Sequence, residues 1–280
     1  MLIQKYLGAA KYILGMTPPG PDLPVYADDT FLAAYPKSGN TWTRFLVGNL
    51  VHEDGPVTFL NIPEIIPHLD VKSKRFFKTM RRARVINCHE PFNTRYKRVI
   101  YVVRDPRDVA VSLYHFQRKR RVIEDKYPIE SFITRFLAGE NIRPDRMGSW
   151  AENVTSWLAV RQNSPGFLLL RYEDLLVNPE RELAEVASFL GITASPERIA
   201  KTVDLSSAHR MRELEMAQGS KWHQAKGTRT DIPFVRSATS GGWRESLPQS
   251  SVAEMESTWG AVMVRLGYEL STGNTQRADG

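Results

Sequence analysis

The apolar run Thr30–Tyr35 stops at Pro36, and by Trp42 the chain has changed period. The run is short, continuous and apolar, as a strand buried on both faces is, whereas Trp42, Phe45, Leu46, Asn49 and Leu50 recur at helical spacing. A strand that passes so quickly into a helix points the helix's first backbone N–H groups outward, at the positive end of its dipole. The residues between suit an anion there: Gly39 lets the backbone approach it, Lys37 supplies a point charge, and Ser38 and Thr41 supply hydroxyl donors. A simple helix cap with an incidental lysine is the bland alternative, and the coincidence of cap, charge, glycine and hydroxyls argues against it. The turn is not a Walker A loop, because Lys37 precedes the only glycine and the motif's first glycine is missing.

The rest of the chain repeats the alternation. Arg84–Cys88, Arg98–Val103 and Phe167–Tyr172 read as further strands, and helices are expected from Pro106, over Gly148–Gln162 and over Pro179–Leu190. This order predicts an α/β fold: a single three-layer domain, with a mainly parallel central sheet flanked by helices and a P-loop-like nucleotide-binding core. Residues 1–29 read as an N-terminal helix and entry loop broken at Pro18-Pro19-Gly20-Pro21, residues 30–270 as the domain, and residues 271–280 as a tail. Ala217–Val235, with Gly219, Gly227 and Pro233, reads as a mobile loop or lid.

Composition narrows the setting. A chain of 280 residues with 42% apolar content is too apolar to be disordered and fits one large domain. Its uncharged apolar runs are far too short for an integral membrane segment, and no signal-peptide pattern is present. The single cysteine, Cys88, cannot close an internal disulfide, so a cytoplasmic protein is expected. The net charge of +7 is concentrated in Lys72–Arg84 and Arg118–Arg121, which favours anionic partners or simply marks solvated helix faces. Arg104 leaves the end of a strand, where open α/β sheets bind ligands, and Ser112 lies two helical turns beyond Pro106. A surface pair between Arg104 and Asp108 is the alternative use of that arginine.

At these two turns the sequence resembles the cytosolic-type sulfotransferases, which use 3′-phosphoadenosine 5′-phosphosulfate (PAPS) and release the bisphosphate PAP. The motif Tyr35-Pro36-Lys37-Ser38-Gly39-Asn40-Thr41-Trp42 is similar to the family's 5′-phosphosulfate segment. Arg104 to Tyr114-His115-Phe116 is similar to its 3′-phosphate segment, and Phe234–Arg244 resembles its third motif more weakly. The resemblance implies that Lys37, Ser38, Gly39, Asn40 and Thr41 hold the 5′ end, and that Arg104, Ser112 and Arg236 hold the 3′-phosphate. Trp42 and Tyr172 would flank the adenine, with core packing the other use of Trp42. Ser206 would offer another hydroxyl, although Ala208 stands where the family has an aromatic.

His89, at the exit of the strand Arg84–Cys88, matches the family's general base, and an imidazole suits proton transfer near neutral pH. Lys37 would then stabilise the leaving phosphate oxygen. Two residues before His89, Asn87 stands where much of the family has a lysine. No metal is implied, and His52, His68, His115, His209 and His223 show no zinc-site spacing. The expected reaction moves a sulfuryl group from PAPS to a hydroxyl or amine by in-line displacement. The alternatives are a non-catalytic nucleotide or polyanion binder, or a P-loop-like kinase using Asp105 as a magnesium ligand. The acceptor reads as a small molecule or glycan, not a nucleic acid, with Phe76, Phe77 and Trp222 suited to an apolar one. Pro248-Gln249 interrupts the family's dimer segment, which leaves the oligomeric state open.

Overall fold

The four runs of apolar residues become four strands: β1 (Thr30–Ala34), β2 (Val85–Cys88), β3 (Arg98–Val103) and β4 (Phe167–Arg171). In this computed structural model they pair in parallel throughout, in the order β2-β1-β3-β4. The structure describes residues 22–142, 144–222 and 224–271, with 11, 14 and 16–19 from the N-terminal segment. The helix expected near the N-terminus, His223 and most of the expected tail lie outside the described residues.

Strand alternation builds two cores. Phe31, Ala33, Ile86, Cys88, Val99, Tyr101 and Val103 face one side, against Val109 and Leu113, Trp150 and Trp157, and Met255 and Trp259. Leu32, Ala34, Ile100, Val102 and Leu170 face the other, against Phe45, Leu46, Leu50, Leu183, Val186 and Ile199. Helices Pro106–Lys119, Trp150–Arg161 and Gln249–Arg265 therefore cover one face, and Asn40–Val51, Pro179–Leu190 and Pro196–Leu205 the other. The result is a three-layer α/β domain. It explains why the strands read as unbroken apolar runs rather than alternating ones, since both faces are buried.

Local chemistry sets the element ends. Ser149 and Glu152 form a reciprocal capping box that starts Trp150–Arg161, so the helix begins two residues later than its sequence pattern suggests. Tyr172 is not the last residue of a strand but the first of a short helix, Tyr172–Val177. The stretch read as a lid is a helix as far as Gln218, and its later part is tied down. Lys119 Nζ donates to the carbonyls of Arg229 and Ile232 at 2.8 and 2.7 Å, and Glu215 accepts from the backbone N–H groups of Phe234 and Val235.

This topology positions the site. Because the strands are parallel, the residues that follow them emerge at one edge: Lys37 after β1, His89 after β2, Arg104 after β3 and Tyr172 after β4. β1 is flanked by β2 on one side and β3 on the other, so the crossovers diverge from it and leave a crevice beyond its end.

Candidate active site

The turn after β1 is built on two left-handed residues, Lys37 at φ 73° and Gly39 at φ 94°. Gly39 is the N-cap of the helix Asn40–Val51, which therefore starts with no side-chain cap. A Cβ at position 39 would lie 2.3 Å from Tyr172 Cδ2, so glycine is required both by the backbone and by the aromatic packed on it. Ser38 is fully buried, and its Oγ has no hydrogen-bond partner among the described residues. Beyond this turn opens a cavity of about 570 Å3. Lys37, Gly39, Asn40, Thr41, Trp42, His89, Arg104, Ser112, Tyr172 and Arg236 all line it.

The cavity wall is cationic. Lys37 Nζ lies 4.2 and 4.7 Å from the ring centres of Phe116 and Phe234, and Arg104 stacks 4.3 Å from Tyr172. Burial, then repulsion from Arg104 and Arg236, lowers the Lys37 ammonium to a pKa of about 7. Arg236 is likewise lowered by burial and by Arg104. Arg104 donates to the carbonyls of Thr239 and Lys37, while its Nε has no partner among the described residues. Asp108 approaches Arg104 only to 3.9 Å, and its oxygens accept from the N–H groups of Gly241 and Trp243 at 2.7 and 3.1 Å. It therefore pairs with the arginine at long range, in a buried rather than a surface position, and anchors the loop that carries Arg236.

His89 stands at the β2 end of the same cavity. Its Nδ1 lies 2.7 Å from the Ala34 carbonyl oxygen, which can only accept, so Nδ1 carries the proton and Nε2 the lone pair. The Asn40 amide nitrogen, 3.3 Å from the same Nδ1, is then a packing contact, since both groups are donors. Burial lowers the imidazole to a pKa of about 4, against the opposing effect of the Ala34 bond, so the free protein holds it neutral. Asn87 orients this corner: its amide nitrogen donates to Leu32 O at 3.1 Å and to Asn40 Oδ1 at 2.8 Å. Both of its N–H bonds are thus engaged within the protein, and the amide acts as a brace rather than a donor to a ligand.

Other residues fall elsewhere than expected. Ser206 is fully buried and accepts from Asn49 Nδ2 at 3.0 Å, and it does not line the cavity, although Ala208 does. Trp42 meets Tyr172 edge-on at 5.6 Å while also packing against the core, so both of its expected uses coexist. Phe77 is buried in one core, and Trp222 stacks on Phe59 at 4.2 Å in the other; neither lines the cavity, because their apolar faces are already covered. Asp105 caps the helix Pro106–Lys119 and pairs with Arg107 at 2.7 Å, which occupies the carboxylate proposed for magnesium. Three cations of the basic stretch Lys72–Arg84 are ion-paired, Lys72 with Glu64, Arg82 with Asp28 and Arg84 with Asp29.

Two cavity residues had no sequence signal of their own: Arg44 hides on an apolar helix as one more polar residue, and His68 is far from any motif, whereas Arg120 belongs to the basic cluster Arg118–Arg121. The structure brings His68 to His89, ring centres 5.0 Å apart, because the residues beside it pair with Asn87 at the outer edge of β2. Among the described residues no cluster of three or more His, Cys, Asp or Glu is placed to hold a metal ion, and no helix is long and apolar enough to cross a membrane.

Residues 27–267 match the Sulfotransferase domain family. Sulfotransferase 1A1 of Canis lupus familiaris is 27% identical over 267 residues, covering 90% of this chain and 88% of that protein. The 3-beta-hydroxysteroid sulfotransferase of Cavia porcellus is 28% identical over 251 residues, covering 86% and 85%. In fold, the chain superposes on mouse sulfotransferase SULT7A1 complexed with PAP at a TM-score of 0.70, with 22% identity and 89% of each chain covered. Retinol dehydratase in complex with androsterone and the inactive cofactor PAP gives 0.68, with 19% identity and 86% and 82% covered.

Proposed function

Since the chain belongs to the sulfotransferase domain family, we propose that it moves a sulfuryl group from PAPS to the hydroxyl, or amine, of a small acceptor, with His89 as the general base. The observation that carries this reading is the lone pair of His89 Nε2 on the same cavity as Lys37 and Arg104, each presented by the end of a neighbouring strand. The residues also suit the donor: Ser38 Oγ and Arg104 Nε are buried without partners among the described residues, and the helix start beyond Gly39, which has no side-chain cap, offers backbone N–H groups to an anion.

When bound, PAPS supplies the sulfuryl group, whose bond to the 5′-phosphate oxygen breaks as the bond to the acceptor oxygen forms. Lys37, Ser38, Gly39, Asn40 and Thr41 would hold the 5′ end, Arg104, Ser112 and Arg236 the 3′-phosphate, and Trp42 and Tyr172 the adenine. His89 Nε2 takes the acceptor proton, and the Nδ1 bond to Ala34 fixes the ring and steadies the imidazolium that results. Lys37, protonated once an anion is beside it, stabilises the charge left on the phosphate oxygen. Neither role calls on a metal ion.

Transfer of labelled sulfate from PAPS to a panel of phenols and alcohols, with and without EDTA, tests the reading. Activity that survives EDTA, and a His89→Ala variant that binds PAP normally but turns over about 10²–10⁴ times more slowly, are expected. Near-normal turnover by His89→Ala would remove the base from the mechanism, and dependence on ATP and magnesium would favour the kinase alternative.

A further inference from the structure

Resting on that reading, a question of charge remains. Five cations line the cavity, Lys37, Arg44, Arg104, Arg120 and Arg236, and no carboxylate does so among the described residues. The two ends of the donor engage Lys37, Arg104 and Arg236. Arg120 is exposed, where water screens its charge. Arg44 is different. It is only 7% exposed, its one hydrogen bond among the described residues runs from Nη2 to the Ile66 carbonyl at 2.6 Å, and its Nε has no partner. A guanidinium so deeply buried without a counter-charge is unfavourable unless something anionic joins it.

Its place is on the acceptor side. Arg44 lies one helical turn beyond Asn40, whose amide touches His89 Nδ1. Its bond to Ile66 ties it to the segment carrying His68, whose ring stands beside His89. Its charge is also among those that depress the His89 imidazole. We propose that the acceptor is itself an anion: a small hydroxy compound whose carboxylate or sulfate group is gripped by Arg44 while His89 takes the proton of its hydroxyl. The fork of an arginine suits both groups, since each presents paired oxygens. A cavity of about 570 Å3 that must also admit a nucleotide leaves room for a small compound. The anion also opposes the repulsion that Arg44 adds to burial in keeping His89 a weak base.

Matched acceptors test this. Para-hydroxybenzoate and para-hydroxyphenylacetate are compared with their methyl esters, and hydroquinone monosulfate with para-methoxyphenol. Two readings are taken: kcat/KM with PAPS, and calorimetric binding to the PAP-loaded protein, which needs no turnover. The anions are expected to exceed their neutral partners by about tenfold or more in both, the size of one charge-assisted hydrogen bond. The carboxylate and sulfate arms tell which group is preferred. Arg44→Gln should collapse the ratio, and Arg44→Lys should retain part of it. Should Arg44→Gln fail to fold, Arg44→Lys and the wild-type ratios still decide. Neutral acceptors used or bound as well as anionic ones, or a ratio unchanged in Arg44→Gln, would overturn the proposal while leaving the sulfuryl transfer intact. Anions bound preferentially but never sulfated would support the anion site and count against the transfer reaction.

Discussion

Both ends of the parallel sheet bury arginines, and the two ends treat them in opposite ways. Where the strands begin, Arg84 and Asp29 are completely buried together: Arg84 Nε bonds Asp29 Oδ1 at 2.8 Å, and its other nitrogens reach the carbonyls of Phe77 and Pro24 at 2.7 and 2.8 Å. Nearby, Arg198 bonds Leu50 O at 2.7 Å and Glu53 at 3.0 Å. A groove at this end is lined by Asp28 and Glu53 alongside Arg84, Arg98 and Arg198. Where the strands end, no carboxylate lines the cavity among the described residues, and Asp108 reaches Arg104 only at 3.9 Å. Positive charge left uncompensated inside a protein marks the place where a ligand completes the structure, whereas charge matched by charge belongs to the fold.

Arg84→Met probes the matched end and should have the largest effect. It strands the Asp29 carboxylate in a dry site, at a cost of about 3–5 kcal/mol. Urea unfolding should register that loss, while the protein that remains folded binds PAP as before. A stable Arg84→Met variant with weakened PAP binding would erase the contrast between the two ends.

Arg104→Met probes the unmatched end and should show the reverse pattern. Its loss removes two bonds to carbonyls and the long ion pair to the buried Asp108, which keeps its two backbone N–H bonds, but relieves repulsion on Lys37 and Arg236, so stability should fall by only about 1–2 kcal/mol, less than in Arg84→Met. PAP binding, measured by calorimetry, should weaken by about tenfold to a hundredfold, the value of a charge-assisted contact to phosphate. Unaltered PAP affinity with a large fall in stability would make Arg104 a structural residue like Arg84.

The contrast between the ends also explains what could be read from the chain alone. The strands were legible because burial on both faces demands unbroken apolar runs, and the anion turn was legible because glycine, lysine and hydroxyls must sit close together in sequence to act together in space. Arg44 and His68 were not, since nothing local distinguishes a cavity-facing arginine from a surface one. His68 reaches His89 only through its pairing beside β2. Phe77 and Trp222 misled for a related reason: hydrophobicity says that a side chain is covered, not whether a ligand or the core covers it. Ser206 shows the same limit for hydroxyls, its oxygen having found Asn49 instead of the cavity.

The smallest expected effect concerns protons, and it tests whether the unmatched end is as uncompensated as its geometry says. Burial and the neighbouring arginines hold Lys37 at a pKa of about 7, so the free protein carries this lysine half-charged near neutrality. An anion placed beside it favours the ammonium and raises that pKa, so binding takes up a proton wherever the free lysine has lost one. Affinity for PAP should thus be full below about pH 7 and decline as pH rises through the free value, by about fivefold between pH 7 and 8. Calorimetry in buffers of different ionisation enthalpy should detect the proton taken up, and Lys37→Met should abolish both the uptake and the slope. A flat profile in the wild type would mean that Lys37 is already fully charged in the free protein, and that something at this end balances the cations after all.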